Sequence, residues 1–379
     1  MSKTTIPEKV KLRLWLRSGG RCEYKGCNEY LYKDTRLTGT YMNRSYIAHI
    51  ISDSPKGPRG HPTLSEKLSK DFDNLMLLCD THHRLIDKEQ VEEHPVELLK
   101  AFKKEHEDRI ELLTSINPSH QTHIIKFCTN ISMRKGFCDP QQACEAIIPQ
   151  RYPSRDVYEI DLTNLSIKED DPYFWELAKT EIKQQIKQIF ISQKLNQERP
   201  KHLSIFALAP IPLLIFLGQE IGDIIPHEVY QKHRDTNGWA WQEQPKELDF
   251  CYEVTKPEEY DSKAKQVILN LSLSGEIHQS EIDTVIKDCP VYKITIKNPN
   301  RDFLKSKEQL ELFKKEFHQL LALIRERHSS DVEIHLFPAI PVSIAVECGC
   351  VLLPKSDPKL IIYDNNKTLG GFKYALTIE

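Results

Sequence analysis

No stretch of this chain approaches the ~18 consecutive apolar residues that a membrane-crossing helix needs, so a membrane protein is not expected. The N-terminal segment MSKTTIPEKVKLRLWLRS is charged and amphipathic and lacks an apolar core, which argues against a secretory signal. The expected compartment is the cytoplasm. Net charge is also nearly absent: 52 Lys and Arg stand against 55 Asp and Glu, a formal −3. What is present describes an ordinary globular protein, with 39% hydrophobic and 28% charged residues. A length of 379 residues implies two or three domains, each able to bury a core.

Cysteine is not scarce, and its placement is uneven. Seven of the ten (Cys128, Cys138, Cys144, Cys251, Cys289, Cys348 and Cys350) are scattered, mostly in apolar runs, as expected of buried reduced thiols. The other three fall in the first 80 residues with several histidines. Cys22 and Cys27 are separated by four residues in RCEYKGC, and some fifty residues later comes NLMLLCDTHH, from Asn74 to His83. Two paired donor sets that far apart describe one tetrahedral zinc site, Cys22, Cys27, Cys79 and His82, stapling a small fold together. On spacing alone the roles of His82 and His83 are interchangeable. His49, Asn74 and one of the two adjacent histidines are left over.

Charge is patterned within this segment. Residues 1–70 carry 8 Lys and 6 Arg against 2 Asp and 4 Glu, whereas residues 71–116 carry 6 basic and 12 acidic groups. A basic segment beside the histidines suits a polyanionic partner. Residues 117–379, with 32 basic against 37 acidic groups, have no basic stripe.

Three regions follow. Residues 1–115 form the zinc-bearing unit. It opens with a helix that Pro7 starts and Gly19-Gly20 ends, and it closes with a helix from Val96 to about Thr114. Residues 116–155, with four prolines, read as a connector holding a short strand at 123–128. Residues 156–379 alternate strand patterns (157–162, 203–209, 266–273, 291–296, 332–337 and 359–363) with helix patterns (173–192 and 303–328), which predicts a mainly parallel α/β sheet. A repeat is also visible. The run HLSIFALAPIPLLIFLGQEIG from His202 can be laid over EIHLFPAIPVSIAVECGC from Glu333, about 130 residues on. Each copy has an apolar strand, an Ala/Pro tip, an apolar helix and a glycine, as two similar α/β halves would.

The His49, Asn74, His83 set around a zinc staple strongly resembles the HNH nuclease family. The resemblance implies a ββα-metal fold. His49 would be the general base, Asn74 would hold a loop or the base by hydrogen bonds, and His83 would hold a catalytic divalent ion, Mg²⁺, against the scissile phosphate. The chain departs from the pattern at Ala48, where many HNH enzymes carry a second metal ligand. Asp53 and Asp87 are the alternatives, or water and phosphate fill those positions.

The later motifs LSIFALAPIP from Leu203, Leu217-Gly218, Trp239-Ala-Trp241, LNLSLSG from Leu269 and HLFPAIPVSIAVECG from His335 resemble the SAVED domain. The whole order resembles the HNH–SAVED effector nucleases of bacterial CBASS anti-phage systems. That resemblance implies a sensor of two fused CARF-like, Rossmann-like halves that binds a cyclic dinucleotide or other cyclic oligonucleotide and assembles into a dimer or tetramer. In open α/β folds ligands sit beyond the C-terminal strand ends. The candidates there are Ala209, Pro210, Ser272, Ser274, Gly275, Ala339 and Pro341, with Trp239 and Trp241 in a polar loop where indole rings would stack on bases.

The expected function is therefore a cyclic-oligonucleotide-activated endonuclease that degrades double-stranded DNA in anti-phage defence by abortive infection. Its metals would be structural Zn²⁺ and catalytic Mg²⁺. Two rivals are an ungated HNH restriction endonuclease and a non-catalytic zinc DNA-binding protein. The acidic balance of residues 117–379 weighs against the first, and the presence of both His49 and Asn74 against the second.

Overall fold

In the computed structural model the chain divides into two compact units, Met1–Asn117 and Pro118–Glu379. The structure describes residues 4–35, 40–131, 134–165, 167, 171, 173–191, 200–242, 250–329, 331–353, 356–366 and 370–379.

The first unit begins with α1 (Glu8–Arg17), which Pro7 precedes. Gly19 and Gly20 then turn the chain away at φ 61° and 67°, a conformation that costs glycine little. A hairpin of β1 (Tyr32–Thr35) and β2 (Thr40–Asn43) leads to β3 (Ser45–His49). A loop containing α2 (Leu64–Leu68) follows, then β4 (Leu75–Cys79), which pairs antiparallel with β3 so that Ser45 faces Cys79 and His49 faces Leu75. Every residue of β4 is buried, as its unbroken apolar run requires. The chain passes directly into α3 (Asp80–Arg84), continues through a π-helical turn at Leu85–Glu89, and closes with α4 (Val96–Thr114).

Part of the basic character of residues 1–70 is spent inside this unit. Arg17 pairs with Glu111 at 2.9 Å and Lys25 with Glu105 at 3.1 Å, both on α4. Glu23 is fully buried, accepts a hydrogen bond from the Leu77 amide and faces Lys103 at 3.9 Å. Burial raises its carboxyl pKa to about 8, against the pull of Lys103.

The second unit holds two α/β halves. The first runs β5 (Gln121–Cys128), a short hairpin of β6 (Asn130–Ile131) and β7 (Arg134–Lys135), α5 (Pro140–Ile147), β8 (Tyr152–Asp161), α6 (Phe174–Ile191), β9 (Leu203–Leu208), α7 (Ile211–Ile221) and β10 (His227–Val229). Its sheet is wholly parallel, in the order β10-β9-β5-β8. The second half runs β11 (Glu253–Thr255), β12 (Gln266–Ser272), α8 (Gln279–Ile282), β13 (Val291–Thr295), α9 (Lys307–His328), β14 (Glu333–Ala339), α10 (Val342–Cys350), β15 (Leu360–Asn366) and β16 (Gly371–Ile378). Its four central strands are parallel, and antiparallel β11 and β16 close the edges.

One correction to the sequence reading follows. Residues 116–155 are not a connector: β5 lies between β9 and β8 inside the first sheet, and α5 packs its Ala143 and Ile147 into the same unit. Proline density was misleading because Pro140 starts a helix and Pro118 and Pro149 flank elements rather than linking domains. The helix pattern at 173–192 is α6, with residue 192 outside the described residues.

The repeat has a structural counterpart. α7 and α10 occupy equivalent places in the two halves, are apolar nearly all round, and are buried. They pack backbone to backbone at Gly218 and Gly349. A Cβ on Gly218 would lie 1.9 Å from the Val346 carbonyl oxygen, and one on Gly349 would lie 1.9 Å from that of Ile215. The two glycines of the aligned copies therefore face each other's helix, and one continuous core spans both halves.

Candidate functional site

In the first unit, one donor atom from each of Cys22, Cys27, Cys79 and His82 falls within 4.8 Å of the others. His82 Nδ1 lies 3.1 Å from Cys79 Sγ and 3.7 Å from Cys22 Sγ. His82, not its neighbour, thus turns toward the thiols. The Tyr24 ring stacks on His82 at 4.0 Å, and the Tyr24 hydroxyl meets His94 Nε2 at 2.9 Å. Gly26, at φ 81°, makes the turn that brings Cys27 back beside Cys22. As free thiols Cys22 and Cys79 are held above their usual pKa, first by burial. Burial likewise lowers the pKa of His82.

His49, at the end of β3, is buried. Its Nε2 lies 2.9 Å from the Ser69 carbonyl oxygen, which assigns the ring proton to Nε2 and leaves Nδ1 as the lone-pair nitrogen. Asn74, also buried, accepts from the Ile51 amide at 2.8 Å and donates to the carbonyls of Ile51 at 2.8 Å and Leu68 at 3.2 Å. It ties the turn after His49 to the turn that carries the Ser69 carbonyl. Asn74 therefore sets the backbone just after His49 and the turn that carries its Ser69 partner.

His83 sits on α3, stacked on Tyr46 of β3 at 4.8 Å, with Nε2 3.3 Å from Asp87 Oδ2. Burial lowers its pKa although Asp87 pulls the other way. Of the two alternative carboxylates, Asp87 is beside His83, whereas Asp53 accepts from the Thr4 hydroxyl at 2.9 Å. Two residues escaped the sequence reading. Tyr46 gave no signal beyond an aromatic in a short strand. Arg59 lies in a polar loop, yet its side chain is only 6% exposed and it bonds to both sides of this site.

In the second unit the expected ligand residues separate into two groups. Ser272 and Ala339 are register partners at the C-terminal ends of β12 and β14, and the Ala339 carbonyl accepts from the amides of Leu273 (3.0 Å) and Ser274 (2.7 Å). Ser274 and Gly275 are partly exposed, and a Cβ on Gly275 would meet no atom of the described residues within 4 Å. Pro341 precedes α10 there, and Ala209 and Pro210 hold the equivalent place before α7 at the end of β9.

Two expectations are corrected. Ser272 is fully buried, and its hydroxyl donates to Asn270 Oδ1 (2.7 Å) and accepts from the Ile277 amide (3.0 Å), so it is spent on its own loop. Trp239 is 1% exposed and packs edge-on against Phe206, so its ring is closed to a base in this arrangement. Trp241 is half-buried and meets His233 edge-on. Apolar area outweighs loop polarity here: a buried indole gains more than a solvated one.

The segment carrying both tryptophans is itself placed between the halves. Gln231 accepts from the Ser343 amide (3.2 Å) and hydroxyl (2.8 Å) at the start of α10, and Asp235 pairs with Lys305 at 2.6 Å beside the start of α9. Among the described residues, the buried His233 Nε2 and the indole nitrogens of Trp239 and Trp241 have no hydrogen-bond partner.

Comparison with known proteins adds a family. No curated protein matches the chain. Among solved structures, the chain is similar to the Acinetobacter baumannii Cap4 SAVED/CARF-domain containing receptor with the cyclic trinucleotide 2'3'3'-cAAA, at 14% identity and a TM-score of 0.41, over 74% of this chain and 55% of that one. It is also similar to the Moraxella osloensis Cap4 SAVED/CARF-domain containing receptor, at 16% identity and 0.39, over 75% and 54%. The chain thus spans little more than half the length of these receptors. No helix among the described residues is long and apolar enough to cross a membrane. The family model described as the SMODS-associated and fused to various effectors sensor domain matches residues 182–378, from within α6 to the last strand. That match takes in more than half of the chain, all of the second half and the α7–α10 crossing, and by it the chain belongs to the SAVED family of sensor domains.

Proposed function

We propose that this chain is a metal-dependent DNA endonuclease switched on by a cyclic oligonucleotide that its SAVED unit senses. The observation that carries the nuclease reading is the antiparallel β3–β4 pair running into α3, with His49, Asn74 and His83 placed on it beside a four-donor cluster. The sequence resemblance to HNH–SAVED effectors supports the same reading.

The donors fit the two metals. Tetrahedral zinc with bonds of about 2.0–2.3 Å needs donor separations of roughly 3.5–3.8 Å. The His82 distances of 3.1 and 3.7 Å lie near that range. Three thiols and an imidazole are also the donor set zinc prefers. His83 Nε2 and Asp87 Oδ2, 3.3 Å apart, approximate one edge of an octahedral Mg²⁺ site, about 3.0 Å for bonds near 2.1 Å. A divalent ion held there supplies charge compensation at the scissile phosphate.

The chain's own residues do the rest. His49 keeps its Nε2 proton on the Ser69 carbonyl and takes a proton from water at Nδ1. Asn74 holds that geometry through the Ile51 and Leu68 carbonyls. Exposed basic groups of the first unit, among them Lys56, Lys67 and Lys70, suit a double-stranded DNA partner. One such unit is one nicking centre, so cutting both strands requires two chains brought together, as a dimer or tetramer. A signal molecule drives this only by binding the assembled state more tightly than the idle one. A DNase that stays idle until signalled suits defence by abortive infection. The sensing reading rests on the family, and in this reading the ligand contacts the partly exposed Ser274-Gly275 tip and residues 231–242 between the halves.

Plasmid cleavage with Mg²⁺, assayed against a panel of cyclic di- and trinucleotides with light scattering in parallel, tests both parts. The expected result is negligible cleavage by the free protein and a larger assembly with cleavage in the presence of one cyclic nucleotide. Full cleavage by a ligand-free monomer would favour an ungated endonuclease. Assembly on ligand addition with no cleavage in any metal would favour a non-catalytic zinc protein.

A further inference from the structure

Arg59 sits in the loop between β3 and α2 at φ 54°, a left-handed backbone that a non-glycine residue adopts only when its surroundings hold it there. Its guanidinium is buried and makes four bonds in two directions. Toward the strand, Nε donates to the Ile50 carbonyl at 2.8 Å and Nη2 reaches the His49 carbonyl at 3.5 Å. Toward the helix, Nη1 donates to the Ile86 carbonyl at 2.5 Å and Nη2 donates to Asp87 Oδ1 at 2.6 Å. The other oxygen of that carboxylate, Oδ2, is the one beside His83 Nε2.

We propose that Arg59 is a positioning residue of the catalytic centre: it locks the strand end bearing His49 to the helix bearing His83, and it turns Asp87 so that one oxygen is held by the guanidinium while the other faces the divalent ion with His83. The inference rests on the nuclease reading above and deepens it. Only arginine carries a planar fork of donors that can serve three backbone carbonyls and a carboxylate at once, and a lysine ammonium cannot span both directions. The arrangement also accounts for Ala48. A carboxylate one helical turn beyond His83 takes the place of a ligand before His49.

The test uses the full zinc-loaded chain and Mn²⁺ itself as the probe, with binding read by electron paramagnetic resonance. Arg59→Lys keeps the charge and loses the fork. Asp87→Asn keeps the carboxylate's shape and leaves the three carbonyl bonds of Arg59 intact, so it folds even where Arg59→Lys does not. Both variants should weaken Mn²⁺ binding by about 10–100-fold, the usual cost of losing a ligand-orienting partner. Cleavage should be lost at low Mn²⁺ and regained as Mn²⁺ is raised. Wild-type Mn²⁺ affinity in folded Arg59→Lys, or in Asp87→Asn, overturns the proposal, as does a wild-type chain that binds no Mn²⁺. A wild-type chain that binds Mn²⁺ but cuts no DNA with any cyclic nucleotide would instead sink the nuclease reading and leave the positioning role standing.

Discussion

Replacing Gly218 with alanine sets two effects of opposite sign against each other. In an isolated helix the change is favourable by about 1 kcal/mol, because glycine is the poorer helix former. At this position the added Cβ would stand 2.9 Å from the Cys350 amide nitrogen and 1.9 Å from the Val346 carbonyl oxygen, the latter about an ångström closer than a Cβ tolerates. Both obstacles are backbone atoms of a buried helix, so no side chain can swing away. The helices must separate, and overpacking of this kind costs about 3 kcal/mol at the upper end of its usual range. The net is a destabilisation of about 2 kcal/mol. For a unit of this size that lowers Tm by roughly 4–8 °C. Calorimetry of the SAVED-unit transition measures it, with Gly275→Ala as the control, since no atom of the described residues lies within 4 Å of a Cβ there. Gly349→Ala should behave like Gly218→Ala. A Gly218→Ala protein as stable as wild type, or more stable, would refute the backbone-to-backbone crossing.

His49→Ala should cut the cleavage rate by about 10²–10⁴-fold while the unit stays folded with its zinc content unchanged, and cleavage at the wild-type rate would remove His49 from the mechanism. Cys27→Ser should release zinc and unfold the first unit, since a structural metal is part of the folding free energy. Mass spectrometry of the metal and circular dichroism check this, and a zinc-free but fully folded variant would contradict it. His227 on β10 faces Glu347 of α10 at 3.8 Å, with Lys314 3.4 Å from the same carboxylate. Burial disfavours the His227 charge, but the bond to Glu347 outweighs it and raises the pKa above 6.5. A raised histidine stabilises the fold fully below its unfolded value, and that stability is lost as pH rises through the folded value. The Tm gap between wild type and His227→Gln should therefore be larger at pH 6 than at pH 8, and a gap independent of pH would show the pair to be uncharged.

The sequence by itself determined whatever depends on local pattern or donor chemistry. Periodicities of two and 3.6 residues placed β9, β12, β14, α6 and α9 of the second unit to within a few residues, because a pleated strand and a helix each bury one side of a fixed repeat, whereas β10, β11 and β16 were not read. Cys22, Cys27, Cys79 and His82 were legible as one set because soft donors in that spacing have few other uses, and the alignable halves showed that the sensor is doubled. Tertiary structure alone decided the rest. Whether residues 116–155 link domains or supply a central strand depends on β5 pairing with β9, some eighty residues later. Whether Trp239 meets solvent or Phe206 depends on what the loop packs against, and loop polarity carries no record of that. The choice of His82 over His83 for the thiols was a matter of one residue's rotation about α3, and Asp87 became a partner of His83 only through the helix that joins them. Arg59 left no trace in its own neighbourhood of sequence. Its four partners lie 9 to 28 residues away, and only the folded chain brings them to one guanidinium.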